Sequence, residues 1–361
     1  MRPFTCASCG NRLFFENSRC ESCGAPLGFR AEETAIITLA PGDAPDTFRR
    51  VGGDGLYRYC ANAASGVCNW LVDDGTGETF CACCRTNQTV PDLTVNGNLD
   101  RWRRIEVAKH RLAYSLIRWG LPIESREQQP ETGLAFEFLA DEPEDPVLTG
   151  HDNGLITLNI AEADDATREK IRTQMGEPYR TLLGHFRHEV GHYYWDRLVR
   201  DGNRLSACRA VFGDDSLDYG EALKLHYDNG APADWQQHFV SSYATMHPWE
   251  DFAETWAHYF HIVDTLETAA AFRVAVADAV PAEGDSRVEF DPYTPGPFAN
   301  VMDAWLPLTF AVNALNRSMG LPDFYPFVLA PVVVDKLDFI HRLVHGEVPA
   351  DVLAPPPPVA A

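Results

Sequence analysis

The sequence predicts an α+β chain, with a small cysteine-rich N-terminal part followed by a mainly helical domain that contains a small sheet. Three observations carry this expectation. Nine of the ten cysteines fall between residues 6 and 84. Apolar residues recur at helical spacing from Leu99 to Trp119, from Pro178 toward Gly202, and from Pro248 onward. Alternation of period two is confined to Leu134–Leu139 and Gly150–Ile160. The remainder is ordinary globular material: 361 residues, 45% hydrophobic and 23% charged, which excludes wholesale disorder. At about 150 residues per domain the length allows two or three domains. The net charge of 30 − 52 = −22 opposes a polyanionic partner, so nucleic acid is not expected. No apolar segment follows Met1-Arg2-Pro3-Phe4, and no apolar run approaches the ~18 residues of a membrane span. A cytoplasmic location is therefore expected, and in a reducing compartment crowded cysteines point to metal rather than disulfides.

Cys6-Ala7-Ser8-Cys9-Gly10 is followed by Cys20-Glu21-Ser22-Cys23-Gly24, with ten residues between Cys9 and Cys20. Two CxxCG knuckles at this spacing predict a four-cysteine zinc ribbon over residues 1–30. The glycines permit the positive φ that turns backbone amides toward the sulfurs. A second set, Cys60, Cys68, Cys81 and Cys84, has gaps of seven, twelve and two residues and predicts a second zinc-binding segment over 31–98. Cys83 could replace a neighbour there. With few apolar runs in this part, zinc binding would supply folding free energy, on the order of 10–16 kcal/mol for a structural site. Cys208 reads as a buried thiol.

Leu99–Trp119, ended by Gly120-Leu121-Pro122, predicts a helix connecting the two halves within residues 99–125. Residues 126–350 then form the second domain. Its short strands come first, with His151 in a Gly150–Gly154 turn. Pro178 opens a long helix that turns Leu182, Leu183, Phe186, Val190 and Tyr193 inward, and Pro248 opens another through Trp256 and Phe260 toward Leu266. Residues 351–361 form a Pro/Ala tail with no means of packing.

Within the first long helix lies His188-Glu189-Val190-Gly191-His192, an HExxH. Positions i and i+4 lie one above the other on a helix, so His188 and His192 can offer two imidazoles to one zinc ion. Glu189 beside them can take a proton from a water whose pKa zinc lowers toward about 7. A catalytic zinc keeps three protein ligands and an open position. Trp195 and Leu198 occupy the Gly and His positions that an HExxHxxGxxH would need, which excludes that class. Glu250, in the first turn of the helix opened by Pro248 and fifty-eight residues after His192, is the expected third ligand. Ala253, one turn later, is small enough for two helices to approach across the ion.

These motifs resemble the glutamate-type zincin metallopeptidases, in which an HExxH helix is followed by a Glu-x-x-Ala helix. Glu250-Asp251-Phe252-Ala253-Glu254 is similar to the corresponding stretches of anthrax lethal factor and of Mlc titration factor peptidases. In those families a tyrosine seven residues before the ligand glutamate assists the tetrahedral intermediate, and Tyr243 holds that offset. HEVGHYYWD and HPWEDFAETWAHY also resemble a bacterial family of zinc-binding metallopeptidases that carry an N-terminal zinc ribbon. The resemblance implies a mainly helical zincin-like metallopeptidase domain with a small sheet, acting on a peptide or protein substrate.

Alternatives remain beside this reading. Glu254-Thr255-Trp256-Ala257 repeats the Glu-x-x-Ala pattern, so Glu254 could be the ligand and Glu250 its support, or the reverse. Asp196, one turn after His192, could orient an imidazole or lie at the solvent-exposed helix end. Asp214, Asp215 and Asp218 before Tyr219-Gly220 distantly suggest an aspartate ligand, against a solvated acidic loop. His185, His258 and His261 flank the site at helical spacing. A peptide could add as a strand along the edge of Leu155–Ile160, with zinc polarising the carbonyl, Glu189 as general base and Tyr243 holding the oxyanion. The competing function is a zinc-ribbon binding or regulatory protein whose zincin-like part is an inactive scaffold. One catalytic zinc and one or two structural zinc ions are expected.

Overall fold

The computed structural model describes residues 1–141, 146–175, 177–276 and 287–351. The Pro/Ala tail lies, except for Asp351, outside the described residues. The chain divides into two compact units, residues 1–189 with 260–326, and residues 190–259 with 327–361. The breaks after Glu189 and Tyr259 fall inside helices, so the two long helices expected from the sequence are shared by the units, and the third break, after Pro326, falls in a loop.

The first unit begins with a two-stranded ribbon, β1 (Phe4–Thr5) and β2 (Arg12–Leu13), paired antiparallel. A five-stranded antiparallel meander follows: β3 (Leu27–Arg30), β4 (Ala35–Pro41), β5 (Phe48–Arg50), β6 (Leu56–Tyr59) and β7 (Leu71–Asp73). Its first hairpin, Leu27 to Pro41, runs across residue 30, where the sequence reading divides one zinc segment from the next. Phe15, Phe29, Trp70 and Tyr114 form an aromatic core beneath it, with Phe15 and Phe29 centroids 4.8 Å apart and Phe29 and Trp70 4.6 Å apart. This apolar centre adds to what metal binding contributes.

Helix α1 (Asn98–Arg118) buries Trp102, Ile105, Leu112 and Leu116 on one face, and Gly120 at φ 67° ends it. A four-stranded sheet in the order β10-β11-β9-β8 is built from β8 (Asn87–Thr89), β9 (Ala135–Leu139), β10 (Gly150–Asp152) and β11 (Leu155–Asn159). The sequence reading gives Gly150–Ile160 strand alternation with a turn at Gly150–Gly154. The turn itself is only Asn153 and Gly154, at φ 44° and 85°, the backbone pair that a tight two-residue hairpin requires, and Gly150–Asp152 is a strand of that hairpin. His151 Nε2 accepts the Gly154 N–H at 2.9 Å and braces the turn. In consequence β11 lies between β10, which pairs Leu155–Thr157, and β9, so among the described residues Leu155–Thr157 offers no free edge for the peptide expected along Leu155–Ile160. Helices α2 (Asp165–Met175) and α7 (Phe298–Ser318) complete this unit.

Helix α3 spans Leu182–Tyr194 and continues as a π-helical segment, Trp195–Arg200. It starts four residues later than Pro178 suggests, because the Thr181 hydroxyl accepts the Gly184 N–H at 2.9 Å and caps the helix there. The second unit adds α4 (Leu205–Phe212), α5 (Tyr219–Asn229), the N-terminal half of α6 (Pro248–Phe272) and α8 (Pro331–Val344). α6 runs past Leu266 to Phe272 through Glu267-Thr268-Ala269-Ala270-Ala271, where alanine is the best helix former. Tyr194 stacks on Trp256 at 5.2 Å, and Phe212 packs edge-on to Phe252 and Phe339 at 5.4 and 5.7 Å, forming the core of this unit. Among the described residues no helix is long and apolar enough to cross a membrane.

Candidate metal centres

Two cysteine clusters occupy the N-terminal part. In the first, Sγ of Cys6 lies 3.7 Å from Sγ of Cys23, and Sγ of Cys9 lies 3.6 Å from Sγ of Cys20. In the second, containing Cys60, Cys68, Cys81 and Cys84, the Cys68–Cys81 separation is 3.9 Å. A tetrahedron with zinc–sulfur bonds of ~2.3 Å has edges of about 3.8 Å, so these separations fit zinc, and a disulfide would need ~2.05 Å. Gly10 and Gly24 take φ 74° and 75°, with their amides bonded to Cys6 O and Cys20 O. Trp70 N–H and Cys84 N–H donate to Cys68 Sγ and Cys81 Sγ at 3.3 and 3.4 Å, while burial pushes both thiols up. Burial opposes ionisation of Cys6, but the amides of Ser8 and Cys9 and the Thr38 hydroxyl outweigh it and bring the thiol to about 6.

Cys83 stands apart from the second tetrad, grouped with buried Glu106 and His110. The Lys109 ammonium lies 3.4 Å from Glu106 Oε2 and supplies positive charge to that pocket. Cys208 is buried, which pushes its thiol up to about 12.

A third group combines His188, His192 and Glu250, whose candidate ligand atoms all lie within 4.8 Å of one another. His188 and His192 sit one turn apart on α3. His192 Nε2 is 3.5 Å from Glu250 Oε2, and its imidazole lies over the Trp249 indole with centroids 3.7 Å apart. Two imidazoles and one buried carboxylate, with no fourth protein ligand in the group, is the donor set of an open zinc site. Close approach of the helices depends on Gly191, where a Cβ would stand 3.1 Å from Ala253 Cα and 3.2 Å from the Trp256 ring.

Glu189 is half-buried, and among the described residues no hydrogen bond or ion pair engages its carboxylate. Glu254 lies outside the metal-sized group. Its Oε2 accepts the Ser241 hydroxyl at 2.6 Å, and Ser241 Oγ accepts the Ala244 N–H, which secures the 3₁₀ turn Tyr243–Thr245. The Tyr243 ring lies 6.0 Å from that of His226. Asp196 accepts from Arg200 at 2.7 Å, and burial raises its carboxyl despite Arg200 and Arg197. Asp214 bonds Ser216, Asp215 pairs with Arg209, and Asp218 caps α5 through Glu221 N–H. None of these belongs to a metal-sized group among the described residues. His185 pairs with Glu162 at 2.7 Å, His261 Nδ1 faces Arg187 at 2.5 Å, and His258 packs on Phe327.

Four contributors were not picked out from the sequence. Tyr219 donates its hydroxyl to Glu250 Oε1 at 2.9 Å. His247 donates from Nε2 to Leu217 O at 3.1 Å and accepts the Trp249 N–H at Nδ1, also at 3.1 Å. Lys336 reaches Asp251 at 2.6 Å from α8. Gly191 permits the helix approach. Only His247 left a trace, at the position immediately before the first turn of α6, where a side-chain acceptor can cap a helix.

A family model described as "Putative zinc-binding metallo-peptidase" matches residues 98–343, and a zinc-ribbon domain model matches residues 3–95. Uncharacterised proteins of Mycobacterium tuberculosis and Mycobacterium bovis are 46% identical over 353 residues, covering 97% of this chain and 97% of theirs. No solved structure matches.

Proposed function

The chain belongs to the putative zinc-binding metallo-peptidase family with an N-terminal zinc ribbon, and from that premise we propose that it hydrolyses peptide bonds with a zinc held by His188, His192 and Glu250. The observation that carries this reading is the convergence of those three donors within 4.8 Å at the helix that carries Glu189, whose carboxylate is unengaged among the described residues. A zinc ion bound there would polarise a scissile carbonyl and bring a water's pKa toward about 7. Glu189 takes the proton from that water and passes it to the leaving amine. Tyr243 is the phenol that the resemblance assigns to the oxyanion, and Glu254 supports it through Ser241 and the turn before α6. Asp196 braces the end of the HExxH helix through Arg200. In this reading the chain holds three zinc ions, one catalytic and two structural, the latter on Cys6, Cys9, Cys20 and Cys23 and on Cys60, Cys68, Cys81 and Cys84.

The test is cleavage of casein and a peptide library, with and without a chelator, by the parent and Glu189→Gln. The variant is expected to keep all its zinc and its fold while losing turnover by at least about 100-fold. Elemental analysis of His192→Ala should show one zinc fewer than the parent. Equal chelator-sensitive cleavage by Glu189→Gln and parent would defeat the mechanism. An inactive parent whose zinc content His192→Ala leaves unchanged would favour the scaffold reading.

A further inference from the structure

Tyr219 opens α5 and as a residue is 38% exposed, whereas Tyr194 and Tyr259 in the same unit are fully buried. The two oxygens of Glu250 face different partners. Oε2 lies 3.5 Å from His192 Nε2, and Oε1 accepts the Tyr219 hydroxyl at 2.9 Å. The phenol therefore stands one carboxylate width from the oxygen that faces the imidazole, at the solvent boundary rather than within the core.

Its backbone is held there. Asp218 caps α5 by accepting Glu221 N–H at 2.7 Å, and His247 ties Leu217 O to the first turn of α6. The ring itself is bracketed by His247 and Trp249, with centroids 5.5 and 6.0 Å away. A core tyrosine needs no such clamp on the segment before it.

On the peptidase reading given above, we propose that Tyr219 is a second catalytic phenol, donating its hydroxyl hydrogen bond to the oxyanion that develops on the scissile carbonyl. Glu250 Oε1 holds the O–H in place before substrate binds. As negative charge grows on the substrate oxygen, the hydrogen bond passes from the carboxylate to that oxygen. The proton stays on the tyrosine throughout, so no bond to hydrogen is broken. The donor is aimed in advance and strengthens only as charge develops, which is the condition for lowering the barrier rather than tightening substrate binding.

The test uses the full-length, zinc-loaded protein. Assayed at saturating zinc, Tyr219→Phe is expected to keep the parent's zinc content even though its zinc affinity falls, to lose about 100-fold in kcat, and to change KM by less than about threefold, the pattern for removing one oxyanion donor. Its affinity for a phosphinic peptide, which presents a tetrahedral anionic group, should fall by a similar factor. Tyr227→Phe, exposed on the same helix, should behave as the parent. Unchanged kcat in Tyr219→Phe, or a loss that follows loss of zinc, would overturn the proposal, the latter because the phenol would then only hold Glu250. If the parent cleaves no peptide, the peptidase reading fails separately, and the phosphinic titration still decides. Equal affinity of parent and Tyr219→Phe, or no binding by the parent, would overturn the role of Tyr219.

Discussion

Replacing Gly191 with alanine separates metal binding from fold stability, because the two respond to different terms. The added Cβ would stand 3.1 Å from Ala253 Cα and 3.2–3.3 Å from Trp256. Ordinary carbon contacts need about 3.5–4.0 Å, so α3 and α6 must separate by roughly 0.5 Å at this point. His192 is the next residue on one helix, and Glu250 lies three residues before Ala253 on the other. Zinc ligands tolerate about 0.2 Å, so the displacement falls on the site. Zinc affinity at this centre should drop about 10- to 100-fold, the range for losing a ligand's support. Overpacking costs about 1–3 kcal/mol, but alanine gains about 1 kcal/mol over glycine within a helix, leaving a net loss of about 0–2 kcal/mol in folding stability. The assay is competition with a chromophoric chelator on protein whose cysteine sites are filled, alongside thermal unfolding. Gly150→Ala, where nothing lies within 4 Å of the new methyl group, is the control. Parent-like affinity for the last zinc ion in Gly191→Ala would refute the claim that this contact sets the ligand geometry.

Lys336→Met removes the partner of Asp251, which is fully buried and whose carboxyl burial already pushes up to about 7 against the pull of Lys336. Stability at neutral pH should fall by about 3–5 kcal/mol in denaturant titrations, and adding Asp251→Asn should recover much of it. Because the folded pKa is raised, the stability cost of ionising Asp251 appears as pH rises from about 4 through 7, so the deficit should shrink on acidification below neutral. Glu162→Gln behaves oppositely. Burial disfavours its charge, but His185, Thr149 and Arg180 outweigh this and hold the carboxyl at about 2. A depressed folded pKa gives stability that is present above about pH 4.5 and lost as pH falls toward 2, so the variant should lose about 3 kcal/mol at neutral pH. The difference from the parent, which cancels the cysteine sites, should vanish in acid.

The parts legible in the sequence are those whose chemistry repeats at short range. HExxH encodes its own geometry, since four residues are one helical turn, and Pro248 marks the turn that carries Glu250. The CxxCG pairs likewise encode their knuckles. What escaped is set by single side chains or by distant contacts. The start of α3 depends on the Thr181 hydroxyl rather than on Pro178. The hairpin at Gly150–Asn159 depends on positive φ at Asn153 as well as Gly154. The five-stranded meander was hidden because strands such as Phe48-Arg49-Arg50 and Leu56-Tyr57-Arg58-Tyr59 are short and basic. Tyr219 meets Glu250 across 31 residues, and no spacing announces such a pair.

The first turn of α6 is fixed at nearly every position around Glu250. His247 receives the Trp249 amide, Tyr219 holds Glu250 Oε1, Lys336 holds Asp251, and Ser241 holds Glu254. Three of these four contacts come from other segments of the chain, and all four fall within residues 249–254. On α3, by contrast, Glu189 is left unengaged among the described residues, between His188 and the helix-packing Gly191. That asymmetry fits the division of labour in a metal-dependent hydrolysis. A ligand carboxylate gains affinity when its orientation is settled before the ion binds, since no ordering cost remains. A general base must reach water first and the leaving nitrogen afterwards, so a tight hydrogen bond to the protein would compete with both transfers. A merely structural site would brace all four side chains alike, and it is the unbraced Glu189 that argues for turnover.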